Sequence, residues 1–297
     1  MTILEAQGLH KRYGEVRAVD GIDLHIDAGQ VVAVLGPNGA GKTTLIEMLL
    51  GMRHPDAGSV TLFGDRPDSA AVRARVGAML QDTDVPSALT VQEVIALVRR
   101  YYPLALPTAE LLSRADLTAS ANRRASQLSG GQRQRLSFAM AIAGDPDLLF
   151  LDEPTAALDV AARRAFWAQV REFAALGKTV LFSTHQMDEV DQLADRVVVV
   201  HHGRIIADGT PSAITSTVAT RQIRLRTDAP AAVLAELPGV AGVVAQGSPD
   251  LLLISSHAPE DTLREIFAAG YPVAELSVTD ADLEAAFVHL TGRSDAA

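Results

Sequence analysis

Val31-Val-Ala-Val-Leu-Gly36-Pro-Asn-Gly-Ala-Gly-Lys-Thr-Thr44 is the stretch that decides the fold. Its second half fits G-x-x-x-x-G-K-[ST], with Gly36, Gly41, Lys42 and Thr43 at the fixed positions. Val31 to Leu35 is apolar and β-branched, which reads as a buried parallel strand. Leu45-Ile-Glu-Met-Leu-Leu50 reads as a helix, with Gly51 as its stop. Strand, glycine loop, helix is the setting of a phosphate-binding loop. Glycines let successive N–H groups point at phosphate oxygens, and the helix N-terminus adds partial positive charge. Lys42 then reaches the β- and γ-phosphates, and Thr43 a magnesium ion. The same residues without a ligand are only a glycine-rich turn, but the flanking strand and helix favour a nucleotide.

Before this loop, Ile3, Leu4 and Ala6, then Val16 to Val19, then Ile22, Leu24 and Ile26 have strand character, and Asp27-Ala-Gly29 turns into the Val31 strand. Tyr13 falls between two strand-like pieces and by itself reads as a surface loop aromatic. After it come a strand at Ser59–Phe63 and the segment Arg73–Leu80 leading to Gln81. The texture then turns helical as far as Gly144. Thr90 with Glu93 forms one capping box, and Ser129 with Gln132 forms another. Alone, the turn Ser129-Gly130-Gly131-Gln132 is a plain helix cap.

Leu148-Leu-Phe-Leu-Asp-Glu-Pro154 is an apolar strand ending in two carboxylates. Parallel strands carry functional groups at their carboxyl ends. Asp152 can hold magnesium there, and Glu153 can accept a proton from an attacking water. A helix spans Ala161 to Ala175, a strand Thr179 to Thr184 with His185 at its end, a helix Met187 to Leu193, and a hairpin Arg196 to Ala207. His201 and His202 at that hairpin turn lack metal-site spacing and read as solvated. From about residue 216 the order β-α-β-β-α-β appears, with strands around Gly247-Ser-Pro-Asp250 and a last helix from Ala281 to Leu290. That order is ferredoxin-like.

The 297 residues carry a net charge of −10 and no cysteine. This argues against a nucleic-acid partner and excludes thiol chemistry and Cys-ligated metal. The N-terminus has no secretory pattern, and no apolar run approaches the roughly 20 residues that span a bilayer. A membrane role is therefore expected to run through a partner.

The order of these motifs closely resembles the ATP-binding subunits of ABC transporters, over residues 2 to about 215. Gly36–Thr44, a glutamine loop at Gln81, Leu128-Ser-Gly-Gly-Gln132, Leu148–Pro154, Ala156-Ala-Leu-Asp159 and His185 arrive in the family order. The resemblance implies a RecA-like α/β phosphate-loop NTPase core with an antiparallel β subdomain and a helical insertion at about 82–145. Residues 216–297 form a small C-terminal α+β domain of accessory or regulatory kind. It implies that ATP is held by Gly36, Pro37, Asn38, Gly39, Ala40, Gly41, Lys42, Thr43 and Thr44, with Tyr13 stacked on adenine. Thr43 and Gln81 ligate Mg2+, with Asp152 one shell out. Glu153 polarises water, His185 contacts the γ-phosphate, and Lys42 and Gln81 complete the catalytic set.

A second copy contributes Ser129, Gly130, Gly131 and Gln132, and Asp159 aligns the pair. Ala157 departs from the usual Gly or Ser, but Asp159 is kept. The implied role is ATP hydrolysis that powers a separate transmembrane permease, gripped beside Gln81. The protein is then cytoplasmic and peripheral on the inner face of the membrane. Leu283–Gly292 resembles the tail of the daunorubicin-resistance branch of exporters. The rival is a soluble ABC ATPase on ribosomes or DNA. One nucleotide domain rather than two, no long coiled coil and the acidic charge all oppose it. The transported compound is not legible in the chain.

Overall fold

The computed structural model describes residues 1–81, 85–156, 158–216, 220–280 and 283–295. Ala157, Ala281 and Asp282, which enter the sequence expectations above, lie outside them. The chain divides into two compact units, Met1–Thr210 and Pro211–Ala297. The expected boundary at 215/216 falls five residues later, so Pro211 to Thr215 lie in the second unit.

In the first unit, β1 (Thr2–Tyr13) and β2 (Val16–Asp27) form a long hairpin before β3 (Val31–Leu35). Then follow α1 (Lys42–Leu49), β4 (Ala57–Leu62), α2 (Ala70–Arg73) and β5 (Val76–Met79). The inserted helices are α3 (Val91–Arg99), α4 (Thr108–Arg114) and α5 (Gly130–Ala141). The chain closes with β6 (Leu148–Asp152), α6 (Val160–Ala174), β7 (Thr179–Thr184), α7 (Met187–Leu193), β8 (Arg196–His201) and β9 (Arg204–Gly209).

Two sheets result. One is antiparallel in the order β2-β1-β4, and the other has the order β5-β6-β7-β3-β8-β9. Every neighbouring pair in the second is parallel except β8 with β9. Alternation along the interior strands sorts their side chains between two layers. Val32, Val34, Phe150 and Leu181 join α1 and the inner face of the antiparallel sheet in one core. Ala33, Leu149 and Phe182 are equally buried. Phe182 meets Trp167 of α6 at 4.8 Å between ring centroids, and Phe166 meets Phe138 of α5 at 5.5 Å. That aromatic column joins the helical insertion to the sheet.

Helix α1 begins at Lys42, earlier than Leu45, because Gly41 takes up φ +102 and starts the helix directly from the glycine loop. Gly51, at φ +69, follows its end as expected. Both capping boxes are present at Thr90 and Ser129. The reading of His201 as solvated is overturned: it closes the interior strand β8, is 8% exposed, and lies 4.0 Å from the exposed His202 ring.

In the second unit, α8 (Pro211–Thr215) precedes β10 (Arg221–Arg226), α9 (Ala231–Ala235), β11 (Val240–Gln246), β12 (Ser248–Ser256), α10 (Pro259–Ala268), β13 (Ala274–Asp280) and α11 (Leu283–Asp295). The sheet runs β11-β12-β10-β13, antiparallel throughout. This is the split β-α-β arrangement of a ferredoxin-like domain. Ile223, Leu225, Leu252 and Ile254 pack with Leu234 of α9 and Ile266 of α10. The hairpin turn is tighter than the four residues expected: only Gly247, at φ +72, separates β11 from β12.

Candidate active site

The site is built at the carboxyl edge of the parallel strands. Leu35 pairs with Thr184, and Asp152 pairs with Ser183. The next residue on each strand is therefore Gly36, His185 or Glu153, and three distant segments of the chain emerge side by side. This edge is where parallel α/β sheets place ligands.

Two glycines of the loop are dictated by space. A Cβ on Gly36 would stand 2.4 Å from the carbonyl oxygen of Val200, and one on Gly41 would stand 2.0 Å from that of Ala18. The loop backbone is tucked beneath β2 and the β8–β9 turn, where Gly203 N–H donates to Ala40 O at 3.0 Å. No side chain caps α1, so its first N–H groups are available to an anion. Lys42 is 5% exposed and folds back over the loop. Its Nζ donates to Gly36 O at 2.8 Å and Pro37 O at 3.1 Å, and stands 3.1 Å from Glu153 Oε1.

The two carboxylates differ sharply. Asp152 is 1% exposed. Its Oδ1 accepts from Ser183 Oγ, while its Oδ2 is buried without a hydrogen-bond partner. An orphaned carboxylate oxygen beside a phosphate loop suits a hard cation bound through oxygen. Glu153 adopts φ +44, a left-handed conformation unusual for a side-chain-bearing residue. Its N–H donates to Ser183 Oγ at 2.9 Å, and its Oε2 lies 3.4 Å from His185 Nδ1. Burial pushes the Glu153 carboxyl up, but the Lys42 hydrogen bond and charge together with His185 outweigh it, and the group is held below the usual range.

Tyr13, Asn38, Gly39, Gly41, Lys42, Thr43, Thr44, Gln81 and Glu153 line one open cleft of about 360 Å³. Tyr13 is 41% exposed at the end of β1, with the Arg53 guanidinium 5.3 Å from its ring centroid. Gly36 and Ala40 are buried and Pro37 half-buried within the loop. The Ser129–Gln132 turn does not line this cleft. Ser129 and Gly130 are exposed, and Gly131 and Gln132 half-buried. Ser129 Oγ accepts from Gln132 N at 3.2 Å, and Gln132 Oε1 accepts from Ser129 N at 3.1 Å. Gly130 instead lines a second groove of about 340 Å³ with Leu80, Val85 and Gln134, and Gln81 borders both clefts. Asp159 caps α6, accepting from Ala162 N at 2.8 Å.

Sequence reasoning passed over Ser183, Thr184 and Glu189. The polar end of the otherwise apolar β7 was a signal for the first two. Nothing local marked Glu189, whose partners lie on other elements.

Comparison with known proteins agrees with this geometry. The ABC transporter family profile matches residues 19–156. The Nod factor export ATP-binding protein I of Burkholderia orbicola (strain AU 1054) is 38% identical, over 98% of this chain and 97% of that protein. The daunorubicin/doxorubicin resistance ATP-binding protein DrrA of Streptomyces peucetius is 38% identical, over 97% and 92%. Among solved structures, an ATP-binding subunit of an ABC transporter superposes with TM-score 0.65 at 28% identity, covering 72% of this chain and 92% of its own. A dimeric cassette in a post-hydrolysis state, bound to ADP and phosphate, gives 0.64 at 26%, over 70% and 98%. On the phosphate loop, the paired strand ends and these relatives together, the chain belongs to the ATP-binding subunits of ABC transporters.

Proposed function

We propose that this ATPase powers export through a separate membrane permease and works as a pair of identical subunits. The observation that carries the export reading is the match beyond the nucleotide unit: relatives named for export align over nearly the whole chain, second unit included. Dimeric cassettes among the similar structures support the pairing. No helix among the described residues is long and apolar enough to cross a membrane. This fits a subunit bound to the inner face of the membrane through its permease. The groove beside Gln81 is the proposed permease seat. Drugs and other amphipathic compounds are the proposed cargo class.

The loop from Gly36 to Thr44 holds the triphosphate through backbone N–H groups, and Tyr13 offers its exposed ring to the adenine. Thr43, Gln81 and Asp152 are the residues that would hold magnesium, which supplies charge neutralisation on the phosphates when bound. Lys42 then exchanges its bond to Glu153 for a phosphate oxygen. That exchange removes the contact holding the Glu153 carboxyl down, so burial raises its basicity as the water arrives. His185 orients Glu153 and the terminal phosphate. Ser129 to Gln132, at the mouth of α5 with Ser129 and Gly130 exposed, grip the partner copy's triphosphate, and Asp159 aligns the two copies.

Glu153→Gln tests the scheme. With ATP and Mg2+ the variant is expected to elute as a stable dimer and to retain nucleotide, with turnover down at least about a hundredfold. A variant that hydrolyses at the native rate, or never retains ATP, refutes it. Recovery of the intact chain from membranes with one co-purifying permease checks the transport role.

A further inference from the structure

The ladder between β6 and β7 ends at Asp152 and Ser183. Beyond it stand the two groups placed at the chemistry, Glu153 and His185, and neither strand extension has a backbone partner in that ladder. Side chains take over. Ser183 bridges Asp152 and the Glu153 N–H, as described above. A little further out lies Glu189 of α7, 2% exposed. Its Oε1 accepts from Thr155 Oγ1, and its Oε2 accepts from Thr184 Oγ1 at 2.5 Å. Thr155 and Thr184 are themselves each 2% exposed. Arg163 Nε of α6 stands 3.6 Å from Glu189 Oε1.

One buried carboxylate thus joins four segments. Thr155 lies two residues after Glu153, and Thr184 lies one before His185. Arg163 lies one helical turn beyond Asp159, on the same side of α6. Thr184 Oγ1 also accepts from Gln186 N at 2.9 Å, which fixes the backbone on the far side of His185. Taking a carboxylate out of water is costly, and a core of apolar residues would be as stable or more so. The arrangement makes sense as a device that holds geometry.

We propose that Glu189 is a positioning residue for hydrolysis: through Thr155, Thr184 and Arg163 it locks Glu153, His185 and the Asp159 helix start into one rigid constellation. It touches no nucleotide and lines neither cleft. The inference rests on the ATPase reading of the site.

The test uses the full-length chain with ATP and Mg2+. Glu189→Gln keeps the side-chain volume but cannot accept both hydroxyl protons at carboxylate oxygens or balance Arg163. Its kcat is expected to fall by about tenfold to a hundredfold, the scale of an ångström-sized misplacement. Its KM for ATP, and its affinity for a fluorescent ATP analogue, are expected to stay within about twofold. Thr155→Val should lose kcat in the same way, and the double variant should be little worse than either, since both break one linkage. Asp188→Asn, which alters the adjacent exposed carboxylate, should leave kcat unchanged.

An unchanged kcat in Glu189→Gln overturns the proposal. So does a parallel loss of ATP affinity, which is what general loosening of the cleft would give. An active wild type with an unaffected variant sinks this inference alone, whereas a wild type that hydrolyses no ATP sinks the ATPase reading as well.

Discussion

Lys42 sets the electrostatics of the cleft. Two loop carbonyls and Glu153 surround its ammonium group, and Glu153 in turn faces His185. Because the Glu153 carboxyl is held below its ordinary value of 4.5, it is ionised at neutral pH. Its folded pKa lies below the unfolded one, so the stability it contributes is present above the unfolded value and is lost as pH falls through the folded one. In Lys42→Ala, burial is opposed only by His185, and that contribution disappears or reverses. The stability gap between wild type and Lys42→Ala is therefore expected to be widest near neutrality and to shrink as pH drops below about 4.5. Melting curves at stepped pH, read from the fluorescence of Trp167, check this. Trp167 is the single tryptophan and is 1% exposed in the first unit. A gap that stays constant across the carboxylate range would refute the assignment. The identities of Lys42 and Glu153 were legible in the sequence. Their contact was not, because it depends on two strand ends separated by more than a hundred residues.

At the scale of elements, local rules predicted most of what forms. Short continuous apolar runs marked β6 and β7, both buried along their whole length, and their bounds match those runs. Helix starts were legible at Thr90 and Ser129, where a capping box closes the first turn, but not at Ser69, whose side chain caps the short α2. Thr90 accepts from Glu93 N at 3.4 Å, and Glu93 Oε2 accepts from Thr90 N at 2.8 Å. Thr90→Ala removes the cap of α3 and is expected to cost about 1 kcal/mol of stability. Chemical denaturation of the full chain checks this, and a loss below about 0.3 kcal/mol would show the cap to be redundant. The start of α1 was misread because its cap is a glycine with no hydrogen-bonding side chain. His201 was misread because its burial comes from neighbours of β8 and not from its own polarity.

For the molecule as a whole, the division at Thr210 separates every residue assigned to nucleotide chemistry from the ferredoxin-like unit. A chain ending at Thr210 is therefore expected to fold and to bind ATP with an affinity within a few-fold of the full chain, about 1 kcal/mol or less. Calorimetric titration of both forms measures this. A truncated chain that binds no ATP would show that the second unit is needed for the site. Read alone, the sequence determined the phosphate loop, the strands and capped helices around it, and the order of motifs that marks the family. Those signals are carried by neighbouring residues, through backbone dihedrals, hydrogen-bond capping and hydrophobic period. Only the tertiary structure decided that Leu35, Asp152 and Thr184 end side by side, that Ser183 occupies one oxygen of Asp152, and that Glu189 of α7 ties the segment after β6 to the end of β7. Such contacts are set by strand register and helix packing across distant parts of the chain, where no local pattern records which side chains will meet.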